Sequence, residues 1–355
     1  MTESNKSRRV AFFLNANAKS VTKKLLQKLK NIVPKEDLFL SKNLSEAEQN
    51  IHEILTQGYA YVFCGGGDGT VMSAINYIHE YGRRHPHELL PKIGVLGLGT
   101  GNALARFLQA KNPIDDIRAI LGGKSLRPVA LSMIEAHGGQ LTPFAGIGYD
   151  GELMNDFESV KDVFFESPFR KLFSSVTGFT LAGVFKTLPR QIGRQLPTIR
   201  VNSSYPAYRI VNTNGVDEEV YIEQGDLLFD DVASIICVGT VPWIGYGITM
   251  FPFANKRPGY MHLRISAVPI SVCLANLYPS IWHGEFRHKL LYDFLVKDVS
   301  IESDESLPYH LGGDAMGYRK KLYFTIAKNP VMLASLHTRN SITRLPGKPV
   351  LTPLS

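Results

Sequence analysis

The stretch YAYVFCGGGDGTVMSAINYI, residues 59–78, runs from an apolar, strand-like segment through Gly65, Gly66, Gly67, Asp68, Gly69 and Thr70 into residues with helical spacing. A glycine cluster at the end of a buried strand lets the backbone turn where a Cβ would obstruct it, and lets a ligand approach the main chain. The helix behind it offers free N–H groups and the positive end of its dipole, which suits a phosphate. Asp68 and Thr70 add a carboxylate and a hydroxyl at the same point. Alone, the motif also reads as a tight strand-to-helix turn with no ligand.

Residues 93–108, IGVLGLGTGNALARFL, repeat the design: an apolar strand, then Gly97, Gly99, Thr100, Gly101 and Asn102, then a helix. Two such turns on neighbouring strands of one parallel sheet converge at its carboxyl edge, where open α/β sheets bind ligands. Neither turn contains the G-x-x-x-x-G-K-[ST] phosphate loop. The chain's G-x-G-x-x-G, GIGYDG at 146–151, lies beyond the strand–helix alternation that a dinucleotide fingerprint requires.

Working outward, VAFFL (10–14), LFL (38–40), AYVFC (60–64) and IGVLGL (93–98) read as strands, and Leu25, Leu26, Leu29 and Ile32 keep helical spacing between the first two. Ser45 with Glu48 has the signature of a capping box ahead of Ile51, Ile54 and Leu55. This alternation implies a Rossmann-like parallel sheet covered by helices. After the stretch LGGKSLRPVAL (121–131) the texture changes to strand-like runs separated by Gly, Pro and Asn, with few helical patterns apart from 152–188 and 272–294. The expectation is an α/β protein of two domains: a nucleotide-binding α/β domain over 1–128, with the boundary near Pro128, and a mainly antiparallel β-sandwich over 129–329. The segment 330–355 is expected to pack back onto the first domain.

A length of 355 residues suits two domains, and a hydrophobic fraction of 44% suits a globular chain. The net charge of +7 favours an anionic partner such as nucleotide phosphate or anionic lipid. That charge is dispersed and accompanies no recognisable nucleic-acid module, so nucleic acid is not an expected partner. Cys64, Cys237 and Cys273 lie far apart without C-x-x-C spacing, which indicates neither a zinc cluster nor a disulfide framework. With a polar N-terminus and only the short apolar run AFFL behind it, the expected location is the cytoplasm. His283, His288 and His310 lack the spacing of a metalloprotease helix and read as surface or internally satisfied histidines.

GGDGT followed by LGLGTGNALAR resembles the diacylglycerol kinase catalytic-domain family of lipid kinases, which includes soluble bacterial lipid kinases and sphingosine kinases. In that family the turns read G-G-D-G-T and P-L-G-T-x-N-D-x-A-R. This chain keeps Gly66, Gly67, Asp68, Gly69 and Thr70, then Gly99, Thr100, Asn102, Ala105 and Arg106; Gly97 stands for the proline and Ala103 for the second aspartate. The family's opening N-P-x-S-G loop is similar to NANAKS at 15–20, where Asn15 is retained, and Ser41 is similar in position to a nucleotide-contacting Ser/Thr. The family's D-G-E turn, whose last carboxylate is the base toward the lipid hydroxyl, aligns with Gly312, Gly313 and Asp314. The segment 245–265 resembles a family loop that holds a structural magnesium in some members, but Pro258, Gly259 and His262 replace its acidic pattern. That site is not carried over.

The resemblance implies ATP as phosphate donor, Mg²⁺ as cofactor and a lipid hydroxyl as acceptor, with diacylglycerol or a related lipid foremost. It implies that Asn15, Ser41, Gly66, Gly67, Asp68, Gly69, Thr70, Gly99, Thr100 and Asn102 surround the nucleotide. Asp68 would orient the metal, and either Asp314 or Asp68 would take the hydroxyl proton. Arg170, Lys171, Lys186, Arg190 and Arg194 flank an apolar stretch that can lie against an anionic membrane, making peripheral contact the expected mode of substrate access. A helix packed within the second domain is the plainer reading of that stretch. A homodimer stands open beside a monomer. Two rival functions remain: an NAD kinase-like phosphotransferase, which shares GGDGT, and a catalytically inactive nucleotide- or lipid-binding regulator.

Overall fold

The structure, a computed structural model, describes residues 9–18, 20–99, 102–149, 151–152, 195–244 and 247–337. The 152–188 helical pattern, the basic residues from Arg170 to Arg194, and Thr100 and Gly101 therefore fall wholly or almost wholly outside the described residues.

The first unit alternates β1 (Val10–Asn15), α1 (Lys23–Lys30), β2 (Leu38–Ser41), α2 (Leu44–Thr56), β3 (Tyr61–Gly65), α3 (Asp68–Arg84) and β4 (Lys92–Leu96). It continues through α4 (Ala103–Phe107), α5 (Pro113–Leu121) and β5 (Arg127–Leu131). The strands β1 to β4 pair in parallel, and β1, β3 and β4 are buried over nearly their whole length, as strands covered on both faces must be. Helix α3 buries Val71, Met72, Ala74, Ile75 and Ile78 on one face and carries Arg83 and Arg84 in its last turn, where cations suit the dipole.

The capping box expected at Ser45 and Glu48 sits two residues earlier. Asn43 is the N-cap of α2: its Oδ1 accepts from Glu46 N at 2.8 Å, and its Nδ2 donates to Glu46 Oε1 at 3.1 Å.

The second unit is β-rich. Its strands are β6 (Ile134–Ala136), β7 (Leu141–Thr142), β8 (Phe144–Gly148), β9 (Thr198–Asn202), β10 (Ala207–Thr213) and β11 (Val216–Ile222). After them come β12 (Leu227–Val232), β13 (Ile235–Gly239), β14 (Met261–Ser266), β15 (Leu291–Val296), β16 (Asp298–Leu311) and β17 (Asp314–Ile326). They form one 12-stranded sheet whose path runs β11-β10-β15-β14-β13-β8-β16-β17-β6-β7, with β9 joined to β16 and β12. Every pairing is antiparallel. The sandwich expectation is thus met by a continuous sheet whose distant strands share one core, with Val201, Phe229, Val238, Leu263 and Ile301 in the same apolar cluster. The GIGYDG run begins inside β8 and leads into helical residues at Tyr149, but β8 is paired antiparallel on both sides, outside the parallel strand–helix alternation of a dinucleotide fingerprint.

The helical pattern at 272–294 is corrected. Helix Ile270–Ala275 passes into a π-helical turn, Leu277–Ile281, and Leu291–Val296 is β15, held between β10 and β14. Pairing with two neighbours overrides the local apolar periodicity.

Strand β18 (Val331–Ser335) returns to the first sheet, whose order is β2-β1-β3-β4-β18-β5. It runs parallel to β4 and antiparallel to β5. Pro128 lies inside β5, at an edge of the sheet where a missing N–H is tolerated. Beyond β18, His337 Nε2 meets Asp116 Oδ1 at 2.9 Å and fixes the returning segment against α5.

One apolar cluster joins the two units: Val71, Ile75 and Ile78 from α3 pack with Met133, Leu141, Phe144, Cys237 and Phe251. Such an interface positions the two sheets as a packed core does, not as a hinge does. Within the second sheet, Arg264 Nε and His262 Nε2 meet Asp293 Oδ1 at 2.7 and 2.8 Å, and all three side chains are buried.

Candidate active site

The two glycine turns lie backbone against backbone. At Gly99 a Cβ would come 2.7 Å from the Gly66 carbonyl oxygen and 2.8 Å from Gly67 Cα, so only glycine allows this approach. Gly65 has a different role. A Cβ there would overlap the Leu14 side chain and sit 2.9 Å from Leu98 Cδ1, so the extra glycine lets β3 pack against β1 beneath the turn.

Gly67 is the N-cap of α3, so the first-turn N–H groups of that helix face the cleft. Asn15 Nδ2 donates to Thr70 Oγ1 at 3.1 Å, while Asn15 Oδ1 accepts from Asn17 N at 2.9 Å. Asn102 has left-handed backbone (φ 55) at the start of α4. Its Oδ1 accepts from Gly99 N at 2.9 Å and its Nδ2 donates to Gly99 O at 2.7 Å, pinning the second turn.

Asp68 faces this second turn. Its Oδ2 accepts from Ala103 N at 3.2 Å, which places a carboxylate at the N-terminus of α4. Burial raises its pKa, and the neighbouring backbone N–H groups of Ala103, Leu104 and Asn102 pull it back. Asp68 thereby links the two turns.

Asn15, Ser41, Gly67, Gly69, Thr70 and Gly99 line a cleft of about 690 Å³ at the carboxyl edge of the first sheet. Gly66, Asp68 and Asn102 are not among its lining residues and support it from behind. The cleft is also lined by Asn17, Lys42, Asn43, Asn76 and Tyr77, which the sequence reading missed. Lys42 and Asn43 follow β2, so the rule that ligands bind beyond the carboxyl ends of strands would have found them.

The second sheet delivers Asp314. Gly312 and Gly313, with φ of 62° and 98°, form the two-residue turn between β16 and β17, as a tight hairpin with two positive φ values demands. Asp314 Oδ2 lies 4.0 Å from where a Gly69 Cβ would be. Desolvation raises the Asp314 pKa, and the coulombic effect of His310 opposes that rise. Arg106 reaches the second unit from α4: a Cβ on Gly247 would lie 2.6 Å from its Nη2.

Among the described residues no cluster of three or more His, Cys, Asp or Glu side chains is assembled for a metal. Asp68, at the first position of α3, instead offers the sparse carboxylate ligation that suits Mg²⁺, which takes the rest of its shell from phosphate oxygens and water.

Residues 9–134 match the model of the family described as "Diacylglycerol kinase catalytic domain". The whole fold is similar to a diacylglycerol kinase from Bacillus anthracis str. Sterne, with 14% identity, a TM-score of 0.58, and coverage of 94% of this chain and 97% of that one. A second solved structure from the same strain, described as a "putative diacylglycerol kinase", aligns with 15% identity and a TM-score of 0.61 over 94% of this chain and 99% of its own. At these identities the likeness speaks for the fold. Curated proteins give no match.

Proposed function

We propose that this chain, whose first unit matches the diacylglycerol kinase catalytic domain, is an ATP-dependent lipid kinase. The observation that carries the reading is the approach of Asp314, from the second sheet, to Gly69, which lines the cleft on the first turn of α3. In this reading residues 1–128 with the returning strand β18 hold the nucleotide, and residues 129–329 hold the lipid.

The chain's own groups divide the work of phosphoryl transfer as its chemistry requires. The first N–H groups of α3 hold phosphate oxygens, and Thr70 Oγ1, fixed by Asn15, keeps its proton for donation into the cleft. Asp68 would hold Mg²⁺, directly or through a water, and the ion when bound would neutralise charge on the transferring phosphate. Asp314 accepts the proton of the lipid hydroxyl as its oxygen bonds to the γ-phosphorus and the bond to the ADP oxygen breaks. A carboxylate of raised pKa is the better base for this step. Asp68, committed to Ala103 N, keeps the turns in register and leaves proton removal to Asp314.

The test is transfer of labelled γ-phosphate to a total lipid extract, with the product identified by mass. Asp314→Asn should abolish transfer while ATP still binds. Full turnover in that variant rejects the base assignment, and nucleotide binding without transfer by the unaltered protein turns the reading to a regulator. Sedimentation with vesicles of rising anionic content tests peripheral membrane contact, and binding that ignores lipid charge rejects it.

A further inference from the structure

Asn76 lies eight residues into α3 from Asp68, about 12 Å along the helix axis, and its side-chain amide spans the two units. Nδ2 donates to Leu141 O at 3.0 Å and to Met72 O at 3.0 Å, and Oδ1 accepts from Leu141 N at 2.7 Å. Leu141 belongs to β7, the terminal strand of the large sheet, which pairs on one side with β6. On its other side a single side chain satisfies both main-chain groups of one residue, much as a neighbouring strand would. Only an amide does this: an aspartate has no donor and a leucine has neither group.

The next residues carry the connection to the hairpin that presents Asp314. The buried Thr142 Oγ1 donates to Phe144 O at 2.6 Å, and Gly312 N donates to the same oxygen at 2.8 Å. Two residues on, Asp314 comes back to Gly69 on the first turn of α3. The contacts close a circuit: α3, Asn76, β7, Phe144, Gly312, Asp314, and α3 again. Ile75 and Ile78 beside Asn76 share an apolar core with Leu141 and Phe144, so the circuit is packed as well as bonded.

We propose that Asn76 is a positioning residue that sets the separation between the phosphate-binding turn and Asp314. The inference rests on the kinase reading above for its effect on turnover, and on the circuit alone for its effect on the hairpin. Misplacement of a reacting group by about 1 Å costs roughly 100-fold in rate. Asn76→Asp keeps the shape and removes the donor. It should lower kcat roughly 10- to 100-fold while the Kd for ATP stays within about threefold. Hydrogen exchange should quicken roughly tenfold in peptides covering 141–146 and 310–314, as loss of one bond allows. Thr142→Val removes the bond to Phe144 O at the circuit's other end while leaving the residues of α3 unchanged, and should give the same split, so the inference stays testable if Asn76→Asp does not fold.

Asn76 also lines the cleft, so parallel losses of kcat and ATP affinity would overturn the inference in favour of direct nucleotide contact. Unchanged kcat, or quickened exchange at 141–146 without any at 310–314, overturns it too. If the unaltered protein phosphorylates no lipid, the kinase reading fails separately. The exchange at 310–314 then decides the coupling alone: faster in Asn76→Asp supports it, unchanged rejects it.

Discussion

Gly99→Ala isolates the contact between the two glycine turns. The new methyl carbon would lie 2.7 Å from the Gly66 carbonyl oxygen, whereas ordinary contact begins at 3.4 Å, so the turns must part by the difference, about 0.7 Å. Neither Gly66 O nor Gly67 Cα can swing away as a side chain would. The third neighbour, Asn102 Oδ1 at 2.7 Å, is already held by Gly99 N. Overpacking of this kind costs about 1–3 kcal/mol. The same movement carries the phosphate donors out of register, and at 1.4 kcal/mol per decade an affinity loss of about tenfold or more follows. Urea denaturation measures the first effect and calorimetric titration with ATP the second. Gly97→Ala is the control, because its methyl would meet only Lys111 O at 3.6 Å. If the Gly99 and Gly97 variants matched in both assays, the turns would not be in contact and the account of the cleft would fail.

Asp293→Ala strands the buried Arg264 guanidinium and should cost about 3–5 kcal/mol by denaturant titration; a loss under about 1 kcal/mol would show the charges to be solvated. His262 is neutral in the fold, since burial lowers its pKa and its Nδ1 faces no acceptor. The unfolded imidazole takes up a proton near its ordinary pKa of about 6.5, so stability is full above that pH and falls below it, by up to about 1.4 kcal/mol per pH unit. His262→Gln should flatten that part of the profile, and an unchanged slope between the two proteins would rule His262 out as its source. Tyr59→Phe removes an oxygen that donates to Glu36 O or Asp37 Oδ1 and accepts from Arg9 Nη2 at 2.8 Å, and should cost about 1–2 kcal/mol in thermal denaturation. An unchanged melting temperature would mean that water replaces these bonds.

The glycine turns were legible because their cause is local: an apolar strand, small residues and a helix start lie within twenty residues of each other on the chain. Gly65 was not, since the side chains that exclude a Cβ there, Leu14 and Leu98, come from other segments. The capping pattern is satisfied equally by Asn43 with Glu46 and by Ser45 with Glu48, and only the position of the helix end chooses between them. Leu291–Val296 keeps helical periodicity yet pairs on both edges, a preference set by partners and not by the segment. Asp314 entered the candidate site through family resemblance; composition and spacing alone single out no carboxylate so far along the chain. Asn76 had no signal at all, because its partner Leu141 lies 65 residues away.

The last described strand has a consequence for how the protein is made. β18 fills the gap between β4 and β5, so until it leaves the ribosome β4 has an open edge and β5 has no partner in its sheet. Chains grow at about 5–20 residues per second and N-terminal units usually fold as they emerge. Here the first unit is translated first but completed last, after the whole second sheet has passed through. A nascent or truncated chain ending before Val331 exposes an unpaired parallel edge, the kind that recruits other chains. Early termination is thus a route to aggregation, even though it spares both glycine turns and Asp314.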